Sequence, residues 1–321
     1  MMLEKIKAYG ALVRWMNLIM LLILMGVMEQ WVAVPVLKQC LFGTVLPVWM
    51  VILLMLAVTM IAAGGYVIND YFDIKIDRIN KPDRLIVTHQ VSKEQAMHCH
   101  QVLTILGVAC GLVVAWFCRS WSLGLTMLLV PGILWFYSSS YKRQFIIGNV
   151  MVAFVAALPP LTIAMANVGQ LRHLYGDIIS YSPIEHDLYL WLGGFSLFAF
   201  LTTLMREMMK DIQDQQGDRE LECHTLPVRC GDWATKWVIT IIGALTIALL
   251  IWIGFFALPY PHGWDTLSSR FVVFGILTPL VCSLVLMWSA KIPSDYRSAQ
   301  GVMKFVMLMG ILYSFVIERS L

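Results

Sequence analysis

Residues 69–78 read NDYFDIKIDR and residues 210–219 read KDIQDQQGDR. Asp70, Asp73 and Asp77 have the same spacing as Asp211, Asp214 and Asp218, and each triplet is closed by an arginine, Arg78 or Arg219. Offsets of three and four residues put the three carboxylates of each triplet on one face of a helix. Like charges so placed repel, so a bare helix gains nothing from them. A divalent cation removes that objection, because Mg²⁺ takes oxygen ligands and is held by a few carboxylates together with substrate phosphates. The two motifs therefore point to a diphosphate held through two Mg²⁺ ions.

Around the motifs the chain is apolar. Of its 321 residues 59% are hydrophobic and 13% charged, against roughly 25% charged in a soluble domain. This is the composition of an integral membrane protein with the lipid bilayer as its partner. A formal net charge of +3 gives no footing for nucleic acid. The seven cysteines contain no CxxC pair and mostly lie in apolar stretches, which reads as buried free thiols and not as disulfides or a zinc site. The first apolar run follows Arg14 and lacks a small-residue cleavage site, so it is taken as a membrane helix and not a signal peptide.

A span needs about 20 mostly apolar residues. That rule gives nine, at roughly 12–34, 48–68, 97–117, 121–137, 147–167, 188–206, 236–257, 271–290 and 300–317. The third and fourth form a hairpin through a short turn at Cys118–Ser120. With nine spans, one membrane face receives Lys5, Lys7, Arg14, Lys75, Arg78, Lys81, Arg84, Lys93, Lys142, Arg143, Arg206, Lys210, Arg219, Arg229, Lys236, Lys291, Arg297 and Lys304. The other receives only Lys38, Arg119, Arg172, Arg270 and Arg319. The positive-inside rule makes the first face, the N-terminus and both aspartate motifs cytoplasmic in a multi-pass protein of the cell membrane. The motifs follow the second and sixth helices, an offset that hints at duplication. The expectation is one domain, 1–321, with the site between related halves.

At these residues the chain resembles the UbiA superfamily of intramembrane prenyltransferases, whose pattern is NDxxDxxxD after the second helix and DxxDxxxD after the sixth. The likeness continues in Arg206-Glu207 and Lys210, in Thr225-Leu226-Pro227, and in Tyr137 followed by Lys142 within YSSSYKR. Ile147-Gly148-Asn149, Leu158-Pro159, NKPDR (Asn80–Arg84) and RWMN (Arg14–Asn17) look most like the branch that makes digeranylgeranylglyceryl phosphate. Where that branch has RPIPSG, this chain has Arg84-Leu85-Ile86-Val87-Thr88-His89.

The resemblance implies an all-α, nine-helix bundle with a central cavity and a cytoplasmic-side active site. It implies Mg²⁺-dependent transfer of a polyprenyl, geranylgeranyl-type group from its diphosphate to a lipophilic acceptor. The favoured acceptor is a prenylated glycerol phosphate, giving an ether lipid; an aromatic acceptor of quinone or haem biosynthesis is the alternative. Asp70, Asp73, Asp77, Asp211, Asp214 and Asp218 would hold metal, with Lys142 as a point charge on phosphate. Tyr137 would donate to the leaving group or belong to the interfacial belt. Asn69, Arg78, Arg206 and Lys210 would serve the diphosphate, and Arg14, Asn17 and Arg84 complete the substrate set. Arg14 and Arg84 are the cations left for an acceptor phosphate.

Two other classes fit less well. A cation transporter would carry its carboxylates near the midplane and not at one face. A CDP-alcohol phosphotransferase would need a single long motif, with glycines and an arginine between its aspartates, that this chain lacks. His98 and His100 have no visible ligand set and read as packed or solvated.

Overall fold

The computed structural model describes residues 2–80, 86–257 and 265–318. Its helices in chain order are α1 (Met2–Leu12), α2 (Trp15–Gln39), α3 (Val48–Phe72), α4 (Ile74–Asn80), α5 (Lys93–Phe117), α6 (Trp121–Ser139), α7 (Ile147–Tyr175), α8 (Ile184–Glu220), α9 (Leu226–Phe255), α10 (Thr266–Ser289) and α11 (Asp295–Ile317). All but α1 and α4 are long and apolar enough to cross a membrane, which gives nine such helices among the described residues. The spans match those expected, the α5–α6 hairpin included. Most helices run several residues past the expected ends, and three differences bear on the site.

The first span does not begin at residue 12. Arg14 takes a left-handed backbone (φ 54°, ψ 53°), so α1 ends before it and α2 starts after it. The sixth helix runs far past residue 206, to Glu220. The first aspartate motif is not carried on one uninterrupted helix either: α3 ends at Phe72 and Asp73 is its C-cap (φ −84°, ψ −1°). Asp77 N–H still donates to the Asp73 carbonyl at 2.9 Å, so the helical course is bent more than broken. The second triplet lies wholly within α8.

The chain forms two compact units, residues 1–142 with 158–193 and residues 143–157 with 194–321. It passes between them at Lys142–Arg143, inside α7 and inside α8.

In the first unit α3 and α5 pack against each other along most of their length, as small residues in a membrane allow. A Cβ on Gly107 would fall 3.0 Å from the Ala57 carbonyl and 2.9 Å from Ile61 Cγ1, so only hydrogen fits. A capping box starts α5: Ser92 Oγ accepts from Gln95 N–H at 3.2 Å and Gln95 Oε1 accepts from Ser92 N–H at 3.1 Å. Buried Ala8 and Leu12 of α1 pack with Val67, Ile74, Val87 and Val91, which ties the N-terminal helix to the segment around the first motif. His100 is buried and donates from Nδ1 to the Gly64 carbonyl at 2.9 Å, a packing role.

In the second unit the buried core is rich in methionine (Met205, Met208, Met209, Met287, Met303) with Ile212, Leu280 and Val306. Met suits such a core because its unbranched chain fills irregular gaps. Gly231 (φ 80°, ψ 168°) interrupts the start of α9, a conformation that L side chains rarely adopt. The cysteines are free thiols, but not uniformly buried: Cys118 and Cys223 are buried, whereas Cys230 and Cys282 are exposed.

Candidate active site

Each unit carries one triplet with its own set of polar partners. In the first, Asp73 closes α3 as its C-cap. Its carboxylate meets the Lys142 ammonium, and Asn69 Nδ2 donates to Asp73 Oδ2 at 2.7 Å. Lys142 also donates to Asn69 Oδ1 at 3.2 Å, so three residues from two segments form one closed cluster. One turn back toward the N-terminus of α3, Asp70 Oδ1 accepts from Arg14 Nη2 at 2.8 Å. The same guanidinium stands 4.9 Å over the ring of Tyr66, which is placed by the four-residue spacing from Asp70.

The Arg14 arrangement is balanced, not strongly stabilising. A left-handed non-glycine backbone costs about 1–2 kcal/mol. An ion pair with one partner 42% exposed returns about 0.2–1 kcal/mol, and the stacking on Tyr66 adds about 0.5–1 kcal/mol. The strain and the contacts nearly cancel, so Arg14 can exchange partners at little cost.

In the second unit Asp211 Oδ2 accepts from Asn149 Nδ2 at 2.7 Å, and Asp218 Oδ2 accepts from Thr225 Oγ1 at 3.1 Å. Glu207, 6% exposed, accepts from Arg206 and, at 3.4 Å, from Lys210. Gln215 Nε2 donates to the Pro227 carbonyl at 2.7 Å, which fixes the Thr225–Pro227 corner against α8.

Protein groups already offset part of the repulsion within each triplet. Arg14 and Lys142 neutralise Asp70 and Asp73, and the Asn149 amide and Thr225 hydroxyl satisfy Asp211 and Asp218. Among the described residues no three His, Cys, Asp or Glu side chains are grouped as a ready-made metal cage.

The structure thus pairs Arg14 with Asp70, joins Asn69, Asp73 and Lys142, and sets Arg206 and Lys210 around Glu207. Asp77 and Asp214 are half-buried, while Arg78 and Asn17 are exposed. Tyr137 is buried at the last turn of α6. Arg84 lies outside the described residues. Asn149, Thr225 and Glu207 belong to the polar network although no role follows from their spacing. The IGN, TLP and RE strings that contain them were the available signal.

The UbiA prenyltransferase family profile matches residues 31–309. A digeranylgeranylglyceryl phosphate synthase of Sulfurisphaera tokodaii is 30% identical over 97% of this chain and 98% of its own. The Methanopyrus kandleri synthase of that name is 31% identical over 78% and 81%. Among solved structures, a UbiA homologue from Aeropyrum pernix superposes with a TM-score of 0.65 at 14% identity, covering 92% of this chain and 98% of that one. A homologue from Archaeoglobus fulgidus bound to GPP and Mg²⁺ gives 0.60 at 15%, covering 97% and 99%. These structural likenesses concern the fold. The profile covers most of the chain, and the chain belongs to the UbiA prenyltransferase family as a multi-pass membrane prenyltransferase.

Proposed function

We propose that the protein transfers a geranylgeranyl-type group from its diphosphate to the hydroxyl of a prenylated glycerol phosphate, with Mg²⁺ as cofactor. The observation that carries the acceptor is the end-to-end likeness to the Sulfurisphaera tokodaii synthase. The donor chemistry rests on the family and on the two carboxylate sets.

The donor set suits magnesium. It consists of carboxylates with the Asn69 amide oxygen beside them, hard oxygen ligands of the kind the ion takes, and Mg²⁺ is normally held by one or two carboxylates while substrate phosphates complete its shell. Asp70, Asp73 and Asp77, and Asp211, Asp214 and Asp218, would hold the ions. When bound, Mg²⁺ neutralises the diphosphate and the charge that builds on its bridging oxygen.

The chain's own groups do the rest. Lys142 leaves Asp73 for the phosphate, a charge-for-charge exchange that keeps its ammonium paired. Asn69 stays behind to orient Asp73. Arg206 and Lys210 stand ready on Glu207 for the same kind of exchange. The allylic C–O bond breaks, the electron pair leaves with the diphosphate, and the acceptor oxygen bonds to the carbon as its proton passes to a released phosphate oxygen. Apolar walls keep water from the allylic cation. Arg14 would serve the acceptor phosphate, and Asp70, its present partner, would hold the metal.

The basic-residue asymmetry supports an N-terminus and both carboxylate sets on the cytoplasmic side. The direct test incubates the purified protein with Mg²⁺, geranylgeranyl diphosphate and an acceptor panel, with products identified by mass spectrometry. The expected product is the ether of the glycerol phosphate. Efficient prenylation of 4-hydroxybenzoate with none of the glycerol phosphate would replace this acceptor with an aromatic one.

A further inference from the structure

Glu29 lies inside the membrane-spanning helix α2 and is 2% exposed. Fifteen residues separate it from Arg14, about 22 Å along a helix axis, so it is remote from the carboxylate motifs on its own element. It opens a π-helical turn, Glu29–Ala33, in which Val34 N–H reaches back to the Glu29 carbonyl. Such turns are frequent at functional sites. An acidic side chain within a span is costly and marks a bound ion, a relay or a ligand contact.

The side-chain hydrogen-bond partner of Glu29 is an amide on α7. Asn167 Nδ2 donates to Glu29 Oε2 at 2.8 Å and to the Ile163 carbonyl at 3.1 Å. The second bond fixes the amide, because flipping it would set two carbonyl oxygens against each other. Asn167 Oδ1 is then left, fully buried, with no protein donor; Gln170 Oε1 on the same helix is likewise buried and unsatisfied. A three-residue offset places Asn167 and Gln170 on one face of α7. Glu29, Asn167 and Gln170 all belong to the first unit. With both Asn167 N–H groups already engaged, the Asn167 and Gln170 amide oxygens beside the carboxylate leave lone pairs without donors in a low-dielectric interior. Such groups need a donor or a positive charge.

We infer that Glu29, Asn167 and Gln170 form a sodium site that ties α2 to α7. A single positive charge balances the single carboxylate, and every available ligand is a hard oxygen. Magnesium fits poorly, since it holds several waters in a strict octahedron and dehydrates reluctantly. The site is structural and separate from the prenyl-transfer chemistry, so it stands or falls independently of the proposed acceptor.

The test uses the full chain in detergent at pH 8 with fixed Mg²⁺. The melting temperature is followed in sodium, potassium and N-methylglucamine chloride at equal ionic strength, alongside retention of ²²Na⁺ on a desalting column. Sodium should raise the melting temperature in a saturable way that potassium does not match, with about one ion retained per chain. Glu29→Gln should abolish both effects. Gln170→Leu, which introduces no charge, should raise the half-saturating sodium concentration about ten-fold, the loss of one charge-assisted contact. If Glu29→Gln does not fold, the wild-type titration and Gln170→Leu decide. A melting temperature that follows ionic strength alone, with no ²²Na⁺ retained, overturns the inference.

Discussion

Arg14 Nη2 lies 2.8 Å from Asp70 Oδ1 while its own backbone is left-handed. The carboxylate proposed to bind metal and the cation proposed to bind the acceptor are therefore each other's partner. Binding of one ligand releases the group that binds the other. Arg14→Ala should raise the apparent KM for the glycerol-phosphate acceptor about ten-fold or more, as loss of a charge-assisted bond of ~1.5–3 kcal/mol does. It should lower the apparent KM for Mg²⁺, because Asp70 is no longer neutralised. Steady-state titrations in nanodiscs check both; a change confined to the prenyl diphosphate would assign Arg14 to the donor.

Asp73→Ala and Asp214→Ala should each reduce turnover to near background while leaving the protein folded, since both sit at helix ends or polar faces and not in the apolar packing. EDTA should silence the wild type and Mg²⁺ restore it. Near wild-type turnover in either variant would remove that triplet from the metal site.

Asn149→Leu deletes the amide that donates to Asp211 at 2.7 Å. Leaving that oxygen unsatisfied costs about 1–3 kcal/mol, and Asp211 will turn out of its present orientation to find water. We expect the Mg²⁺ concentration for half-maximal activity to rise about ten-fold, with a smaller change in melting temperature. Asn149→Asp should be worse, because it sets a like charge beside Asp211. An unchanged Mg²⁺ requirement in both variants would make the contact incidental.

Gly107→Val should destabilise the α3–α5 crossing by about 1–3 kcal/mol, the usual cost of overpacking a tight contact. The obstruction is the backbone at Ala57 and Ile61, which cannot step aside as a flexible side chain does. Because α3 ends at Asp73, activity should fall with stability. Thermal melts in detergent read the first effect and turnover at low temperature the second.

The exposed Cys230 follows α8 and should be labelled by a membrane-impermeant maleimide only after cells are opened, if the N-terminus is cytoplasmic. Cys118 should resist labelling in either case. Burial, reinforced by the Glu29 charge, pushes its thiol up to about 12, which leaves about one thiolate in ten thousand at pH 8. Labelling of Cys230 in intact cells would invert the proposed orientation.

The spans were legible because twenty-residue apolar runs are long signals, and the Cys118–Ser120 hairpin was legible because so short a turn leaves few other paths. The break at Arg14 was not, since nothing in a basic residue announces a positive φ. The partners of its side chain, Asp70 and Tyr66, lie more than fifty positions away. The aspartates stood out by repetition, but their partners did not. Asn149 and Lys142 reach Asp211 and Asp73 across 62 and 69 positions, and such pairings exist only once the helices have packed.

Helix α8 holds its three aspartates on the same uninterrupted rod that crosses the bilayer. At 1.5 Å per residue its 37 residues measure about 55 Å, against about 30 Å of hydrocarbon. Angular phase is therefore conserved from the lipid-facing turns to Asp218. One residue inserted anywhere between Gly194 and Asp211 would swing all three carboxylates through about 100° and lift them by about 1.5 Å. In the first triplet only Asp77 lies beyond the bend at Asp73, so a residue inserted in α3 would displace Asp70 just as far. The second has no bend, so its three carboxylates would be displaced together.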